Sequence, residues 1–138
     1  MMQDIYYPYI AAEDFLCWYD SYLITPVKPI NHTMITPNSA IALKTALASG
    51  PTLVAIDADS SVFQFYSGGV INSEQCGTQI DHAVAAVGYG VDPVKGEYYI
   101  VRNSWGEQWG VGGYVLIAGG KDGPGICGIH QDASYPNF

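Results

Sequence analysis

Apolar residues follow no single period along this chain; they gather in short runs cut by glycine, proline and charge. From Met1 to Pro37 tyrosine and proline are frequent and no period is sustained, which predicts extended or irregular backbone. Thr36-Pro37-Asn38 is a helix-start signal, because proline fits the first turn. Ile41, Leu43, Ala46 and Leu47 continue an approximate helical face as far as Gly50-Pro51. Leu53 to Ile56 predicts a strand, and Val62, Phe63, Phe65 and Tyr66 predict a short helix closed by Gly68-Gly69. Three more apolar runs, Ala83 to Tyr89, Tyr98 to Val101 and Tyr114 to Ile117, are bounded by glycine or charged turns and predict strands. No repeat, low-complexity tract or linker interrupts residues 1–138, so one domain is expected. Its fold class is mainly β with short helices (α+β): a short helical entry, then an antiparallel, barrel-like β body.

Composition excludes several functions. Nearly half the residues are hydrophobic and 13% are charged, which argues against disorder. Five basic residues face thirteen acidic ones, so nothing attracts phosphate backbones or anionic lipid, and nucleic-acid binding is not expected. No apolar stretch approaches the roughly 20 residues of a spanning helix. Met1 to Ile10 lacks the basic and apolar regions of a signal peptide, so none is expected in this chain. Cys17, Cys76 and Cys127 form no C-x-x-C pair, and His32, His82 and His130 show no H-x-x-x-H spacing. Neither a metal site nor a cofactor is therefore expected. In an oxidising compartment one cysteine pair would bond and one thiol would remain; three free buried thiols are the alternative. Asn31-His32-Thr33 is an N-glycosylation sequon, relevant if the protein is secreted.

Two segments carry candidate chemistry. Asp81-His82-Ala83-Val84 sets a histidine at the entrance of one predicted strand, and Arg102-Asn103-Ser104-Trp105-Gly106 follows the next. An asparagine side-chain oxygen can accept the imidazole N–H, fixing the tautomer that turns the other nitrogen toward a thiolate. An aromatic cover, from Trp105 or Trp109, would exclude water and strengthen that bond. On spacing alone, one histidine and one asparagine at strand ends are more often packing and turn residues.

Longer blocks add to this reading. Cys76-Gly77-Thr78-Gln79-Ile80-Asp81-His82-Ala83-Val84-Ala85-Ala86-Val87-Gly88-Tyr89-Gly90 closely resembles the active-site histidine segment of papain-like cysteine proteases (peptidase family C1, cathepsin L-like). Asn103-Ser104-Trp105-Gly106, Trp109-Gly110 and Gly113-Tyr114 resemble their asparagine segment. Cys127-Gly128-Ile129 followed by Ser134-Tyr135-Pro136 resembles their C-terminal signature. Tyr7-Pro8-Tyr9 with a cysteine soon after, and Gly50-Pro51 leading to Ile56-Asp57-Ala58, are similar to the blocks that precede the histidine. The blocks run in family order from residue 7 to residue 136.

The resemblance implies that residues 1–138 form the C-terminal, right-hand β-barrel part of the papain-like fold, without the helical left domain. It implies His82 as general base and acid, Asn103 as its orienting partner and Trp105 as the shield of their bond, with Trp109 structural. It pairs Cys76 with Cys127 and leaves Cys17 as a thiol whose partner lies in the N-terminal half. Ala55, Ile80, Ala83 and Asp132 would line the pocket for the second residue before the scissile bond. Asp132 on its floor would favour Arg or Lys; its alternative is a solvated surface acid. The family nucleophile stands in a Cys-Gly-Ser-Cys-Trp context with a glutamine shortly before it, and this sequence holds neither segment. Cys17-Trp18 imitates the nucleophile's context, but Asp14-Phe15-Leu16 replaces the Gly-Ser turn. The expectation is a cysteine-type peptidase of peptide or protein substrates, working through a thioester, with the chain inactive in isolation. The alternative is a heavy-chain-like or non-catalytic interaction module that needs a separate N-terminal chain, joined through Cys17. A lysosome-like vacuole or the extracellular space is implied.

Overall fold

The computed structural model describes residues 1–138 except Met1, Asp4, Ala11, Glu13, Asp14 and Phe15. Parts of two sequence expectations, the absent signal peptide over Met1 to Ile10 and the Asp14-Phe15 context of Cys17, lie outside the described residues. The chain forms two compact units, Met1–Asn31 with Pro136–Phe138, and His32–Tyr135.

The first unit is largely irregular, as a Tyr- and Pro-rich segment predicts. Met2 bridges Ile24, and Ile30 N–H donates to the Asn137 carbonyl at 2.8 Å. Asp20 caps a 3-10 turn at Ser21–Leu23 by accepting the Tyr22 N–H at 2.8 Å. Cys17 is exposed with a free thiol.

The second unit is built on a sheet. The elements are β1 (Asn31–Met34), α1 (Ala40–Leu47), β2 (Thr52–Ile56), α2 (Ser61–Gln64), β3 (Val70–Ile71), β4 (His82–Asp92), β5 (Gly96–Arg102), β6 (Tyr114–Ala118) and β7 (Ala133–Asn137), with Asn31 of β1 and Pro136 and Asn137 of β7 falling in the first unit. The strand order is β1-β7-β2-β4-β5-β6-β3. β2, β4, β5 and β6 form antiparallel neighbours, β7 joins β2 antiparallel, and β3 joins β6 in parallel.

The expected antiparallel β-barrel is not formed. The sheet is open, with β1 and β3 as its two outermost strands, whereas closure requires a ladder between the first and last strands. The edge strands are only four and two residues long, and β3 enters parallel to its neighbour. Helices and loops, not a closing wall of strands, complete the core. Val54, Ile56, Val84, Ala86, Tyr99, Val101, Val115 and Ile117 are buried on the sheet, and Leu43, Leu47, Phe63 and Ile129 complete one core with them.

Local chemistry sets the helix bounds. α1 starts at Ala40, later than the Thr36-Pro37-Asn38 signal, because Asn38 adopts a left-handed φ of 59° that no helix interior accepts. Asp122 Oδ1 then accepts the Ala40 N–H at 2.9 Å and Ser39 Oγ that of Ala42 at 3.4 Å, satisfying donors at the helix start. A bulge between Ala86 and Gly88 shifts the pairing of β4 with β5. Beyond it Tyr98 lies over Gly90, where a Cβ would stand 2.6 Å from the phenol oxygen and would push the ring aside.

Candidate active site

Strand register brings the two candidate segments together. Ala85 pairs with Arg102 and Ala86 with Val101. Continuing that antiparallel register three residues outward sets His82, the first residue of β4, opposite Trp105 just beyond β5. The rings of His82 and Trp105 are stacked, with centroids 5.2 Å apart and planes 28° from parallel. Asn103 sits between them in sequence and is 7% exposed. Its backbone N–H donates to the Gly113 carbonyl at 2.9 Å, which anchors the turn that carries it.

His82 Nε2 and Asn103 Oδ1 are 2.8 Å apart. The proton's place follows from the neighbours. The Ser104 backbone N–H also reaches Asn103 Oδ1, at 2.8 Å. A backbone N–H can only donate, so this corner of the amide is the oxygen. Facing an oxygen acceptor, Nε2 must carry the proton. In the neutral ring the lone pair then belongs to Nδ1, which makes no hydrogen bond among the described residues. Asn103 Nδ2 is buried without a partner, an arrangement that costs about 1–3 kcal/mol.

The pair stands against a wall of aromatic rings. Phe63, fully buried on α2, meets Trp105 edge-on at 5.5 Å, His82 at 6.4 Å and Trp109 at 4.9 Å. Trp109 meets Trp105 edge-on at 5.4 Å and donates its indole N–H to the Gln64 carbonyl at 3.0 Å. Tyr66 extends the cluster, 5.9 Å from Trp109, and its hydroxyl donates to the Gly69 carbonyl at 2.7 Å. Trp105 keeps 43% of its surface exposed, so it covers the ring pair while facing outward itself. Sequence reasoning missed Phe63. Its signal was the spacing of three to Tyr66 on a short helical segment, which places both rings on one face.

The loop that leads into His82 is tied at several points. A disulfide joins Cys76 to Cys127, fixing that loop to the chain's C-terminal turn. The half-buried Gly77 needs its φ of +80°, and a Cβ there would meet the carboxylate of Asp57. That carboxylate accepts the Gln79 N–H at 2.8 Å, and Asp81 Oδ1 accepts the Ala58 N–H at 2.9 Å. Ala55 pairs with Ala83 across β2 and β4, and its N–H donates to the Asp132 carbonyl at 2.9 Å. Ile80, Ala83 and Asp132 are exposed and Ala55 is half-buried. The structure thus sets Ala55 beside both Ala83 and Asp132 and places Ile80 two residues before His82. Both cysteines of the His32–Tyr135 unit are consumed by the disulfide, so the unit that holds His82 has no free thiol; Cys17 belongs to the other unit. Among the described residues no group of three or more His, Cys, Asp or Glu is placed to hold a metal ion. Among the described residues no helix is long and apolar enough to cross a membrane.

A mainly β unit presenting an amide-held imidazole under a tryptophan defines the base-bearing side of a thiol-dependent site. The model of the papain family cysteine proteases matches residues 1–137, and the chain belongs to that family. It is 54% identical over 106 residues to a KDEL-tailed cysteine endopeptidase of Arabidopsis thaliana, covering 76% of this chain and 29% of that protein. It is 46% identical over 132 residues to a thiol protease of Hemerocallis sp., covering 94% and 36% respectively. The structure of the bromelain protease from Ananas comosus superimposes with a TM-score of 0.87 at 36% identity, covering 99% of this chain and 62% of that one. The chain spans about a third of the length of these curated relatives.

Proposed function

We propose that this chain supplies the proton-transfer side of a cysteine peptidase, with His82 as general base and acid. The supporting observation is the Nε2–H bond to Asn103 Oδ1, which leaves Nδ1 open beneath Trp105. A thiol brought to Nδ1 loses its proton to that nitrogen, giving a thiolate–imidazolium pair. The thiolate attacks a peptide carbonyl carbon, and the C–N bond breaks as Nδ1–H hands its proton to the leaving amine. A thioester remains. Water then attacks the thioester carbon, Nδ1 takes the water's proton, and the thiolate departs with the electrons of the C–S bond. Asn103 holds the ring through both steps, and Trp105 keeps water off the amide–imidazole bond.

The nucleophile comes from a segment outside these 138 residues, since Cys76 and Cys127 are bonded to each other and Cys17 matches a structural cysteine of the family. These 138 residues alone therefore hydrolyse no peptide, whereas the full-length protein hydrolyses peptides and loses that activity with His82→Ala. Hydrolysis by the 138-residue chain, abolished by His82→Ala, would contradict this reading. A second reading rests on the exposed thiol of Cys17: the chain pairs with a separate N-terminal chain through a mixed disulfide there. Non-reducing electrophoresis of the native protein, followed by mass spectrometry of the Cys17 peptide, decides between a partner chain and a free thiol.

Ala55, Ile80, Ala83 and Asp132 line the pocket for the second residue before the scissile bond. The small side chains of Ala55 and Ala83 are cross-strand neighbours and Asp132 is joined to Ala55 through the backbone, which supports grouping them. Asp132 on the pocket floor pairs with an incoming Arg or Lys. In the full-length protein, Asp132→Ala is expected to lower kcat/KM for a peptide with Arg at that position relative to Leu; an unchanged ratio removes the assignment. Substrates are peptides or proteins, and the compartment is a lysosome-like vacuole or the extracellular space, in keeping with the disulfide.

A further inference from the structure

We propose that Gln131 is a positioning residue for substrate selection, its side-chain amide holding the loop that carries Ile80 in place against the turn that carries Asp132. This role rests on the pocket reading given above for Ala55, Ile80, Ala83 and Asp132, and names what keeps that pocket in shape.

Gln131 Nε2 and the Thr78 carbonyl oxygen are 2.6 Å apart. A backbone carbonyl can only accept, so Gln131 presents its NH2 corner there and donates. The bond joins residues 53 positions apart in sequence. It links two segments that lie outside the strands: the loop from Gly77 to Asp81, and the turn from Gly128 to Asp132. Thr78 stands two residues before Ile80, and Gln131 is the neighbour of Asp132.

The turn has backbone support of its own. The Gln131 N–H donates to the Gly128 carbonyl at 2.9 Å, and the Asp132 carbonyl accepts the Ala55 N–H at 2.9 Å. The loop is more open, with Thr78, Gln79 and Ile80 all exposed. Its Gln79 N–H goes to the Asp57 carboxylate at 2.8 Å and its Asp81 N–H to the Ile56 carbonyl at 3.0 Å. Those two bonds tie the loop to the end of β2, and neither reaches the turn. The Cys76–Cys127 disulfide does reach it, but from a residue four positions before Ile80. The Gln131 bond is the tie closest to the residues assigned to the pocket.

Packing supports the same role. A Cβ on Gly128 would stand 2.5 Å from Gln131 Nε2, 3.0 Å from Ile80 Cγ2 and 3.4 Å from Thr78 Cα. The amide, the Ile80 methyl and the Thr78 backbone therefore converge on one bare patch of main chain. A displaced Thr78 carbonyl carries Ile80 with it. Because Thr78 is exposed, water replaces a lost bond there. The effect of losing it falls on the loop's position and only weakly on the fold.

In the full-length protein, Gln131→Met keeps the side chain's length and removes the donor. For a peptide with Leu as the second residue before the scissile bond, KM is expected to rise about 2- to 10-fold, the weight of one neutral hydrogen bond. An unchanged kcat is expected with it, the mark of lost binding common to ground state and transition state. Gln131→Glu, which sets an acceptor against the carbonyl, is expected to raise KM at least as far. A role confined to folding would shrink the active fraction instead, lowering apparent kcat at constant KM; that result overturns the proposal, as does a KM that neither variant moves. Ile80→Ala, measured alongside, separates the two levels of the reading. If it leaves KM unmoved, the pocket is misassigned and the role of Gln131 falls with it. If Ile80→Ala moves KM and the Gln131 variants do not, the pocket stands and only the positioning role is overturned.

Discussion

Two histidines of the His32–Tyr135 unit are held in opposite ways. His130 is 3% exposed, and both ring nitrogens are engaged: Nδ1 donates to the Gly123 carbonyl at 3.1 Å, and Nε2 accepts from the Tyr99 hydroxyl at 2.9 Å. His82 is half-buried, with Nε2 held by Asn103 and Nδ1 left open. A satisfied imidazole acts as a strut, whereas a half-satisfied one keeps a lone pair for chemistry. The surroundings differ in the same sense. Burial pushes the His130 pKa below the ordinary histidine value, opposed by its bond to the Gly123 carbonyl and by the Asp122 charge. Burial likewise pushes the Tyr99 hydroxyl well above its ordinary range, with Glu97 and Asp122 adding to the effect. Tyr99 therefore remains a protonated donor. At the other end, a wall of aromatic rings supports His82 without occupying its free nitrogen.

The largest effect is expected from removing that wall. Phe63→Ala deletes a fully buried ring shared by His82, Trp105 and Trp109. It should destabilise the fold by about 3–5 kcal/mol in denaturant unfolding. A loss below about 1 kcal/mol would mean the cluster does not pack as described. At the strut, Tyr99→Phe removes the donor to His130 Nε2 and leaves a buried acceptor unpaired. It should cost about 1–3 kcal/mol by the same assay, with no change in the His82 resonances.

The burial of His130 also has a consequence for how stability varies with pH. A folded-state pKa lowered by burial means that the unfolded chain takes up the proton more readily. The stability that His130 contributes is therefore present above the unfolded value of about 6.5 and declines as pH falls through it. The slope from one such group cannot exceed about 1.4 kcal/mol per pH unit. Comparing unfolding at pH 7.5 and 5.5 should show a smaller loss in His130→Gln than in the natural sequence. Asp92, whose carboxyl is held low by the N–H groups of Lys95 and Val94, acts only at lower pH and leaves this window clear. A smaller effect is expected from Lys44→Met, which breaks the 2.9 Å pair with Glu97 on the flank of α1. Being partly exposed, that pair should contribute no more than about 1 kcal/mol, and less in high salt.

The sequence was readable where burial was continuous and unreadable where structure depends on distant partners. The apolar runs at residues 53–56, 83–89, 98–101 and 114–117 each lie in or overlap a strand, because consecutive β-branched and aromatic residues suit a covered sheet. β1, β3 and β7 carry weak patterns, since they are short, edge-lying or partly exposed. Closure was misread for a related reason: whether the outermost strands meet is decided by long-range geometry that no local period encodes. At the site, His82 and Asn103 stood out by chemical type and position at predicted strand ends, and strand register brings them together. Phe63 was hidden because a buried phenylalanine looks like any other core residue until its neighbours are known.

The account rests on Asn103 holding the His82 proton on Nε2 and leaving Nδ1 open. The direct measurement is the nitrogen-15 spectrum of the His82 ring in this chain at neutral pH, with and without Asn103→Ala. The expected result is a protonated, exchange-protected Nε2 and a bare Nδ1, with the protection lost in Asn103→Ala. A proton resident on Nδ1, or an Nε2–H indifferent to Asn103, would contradict it.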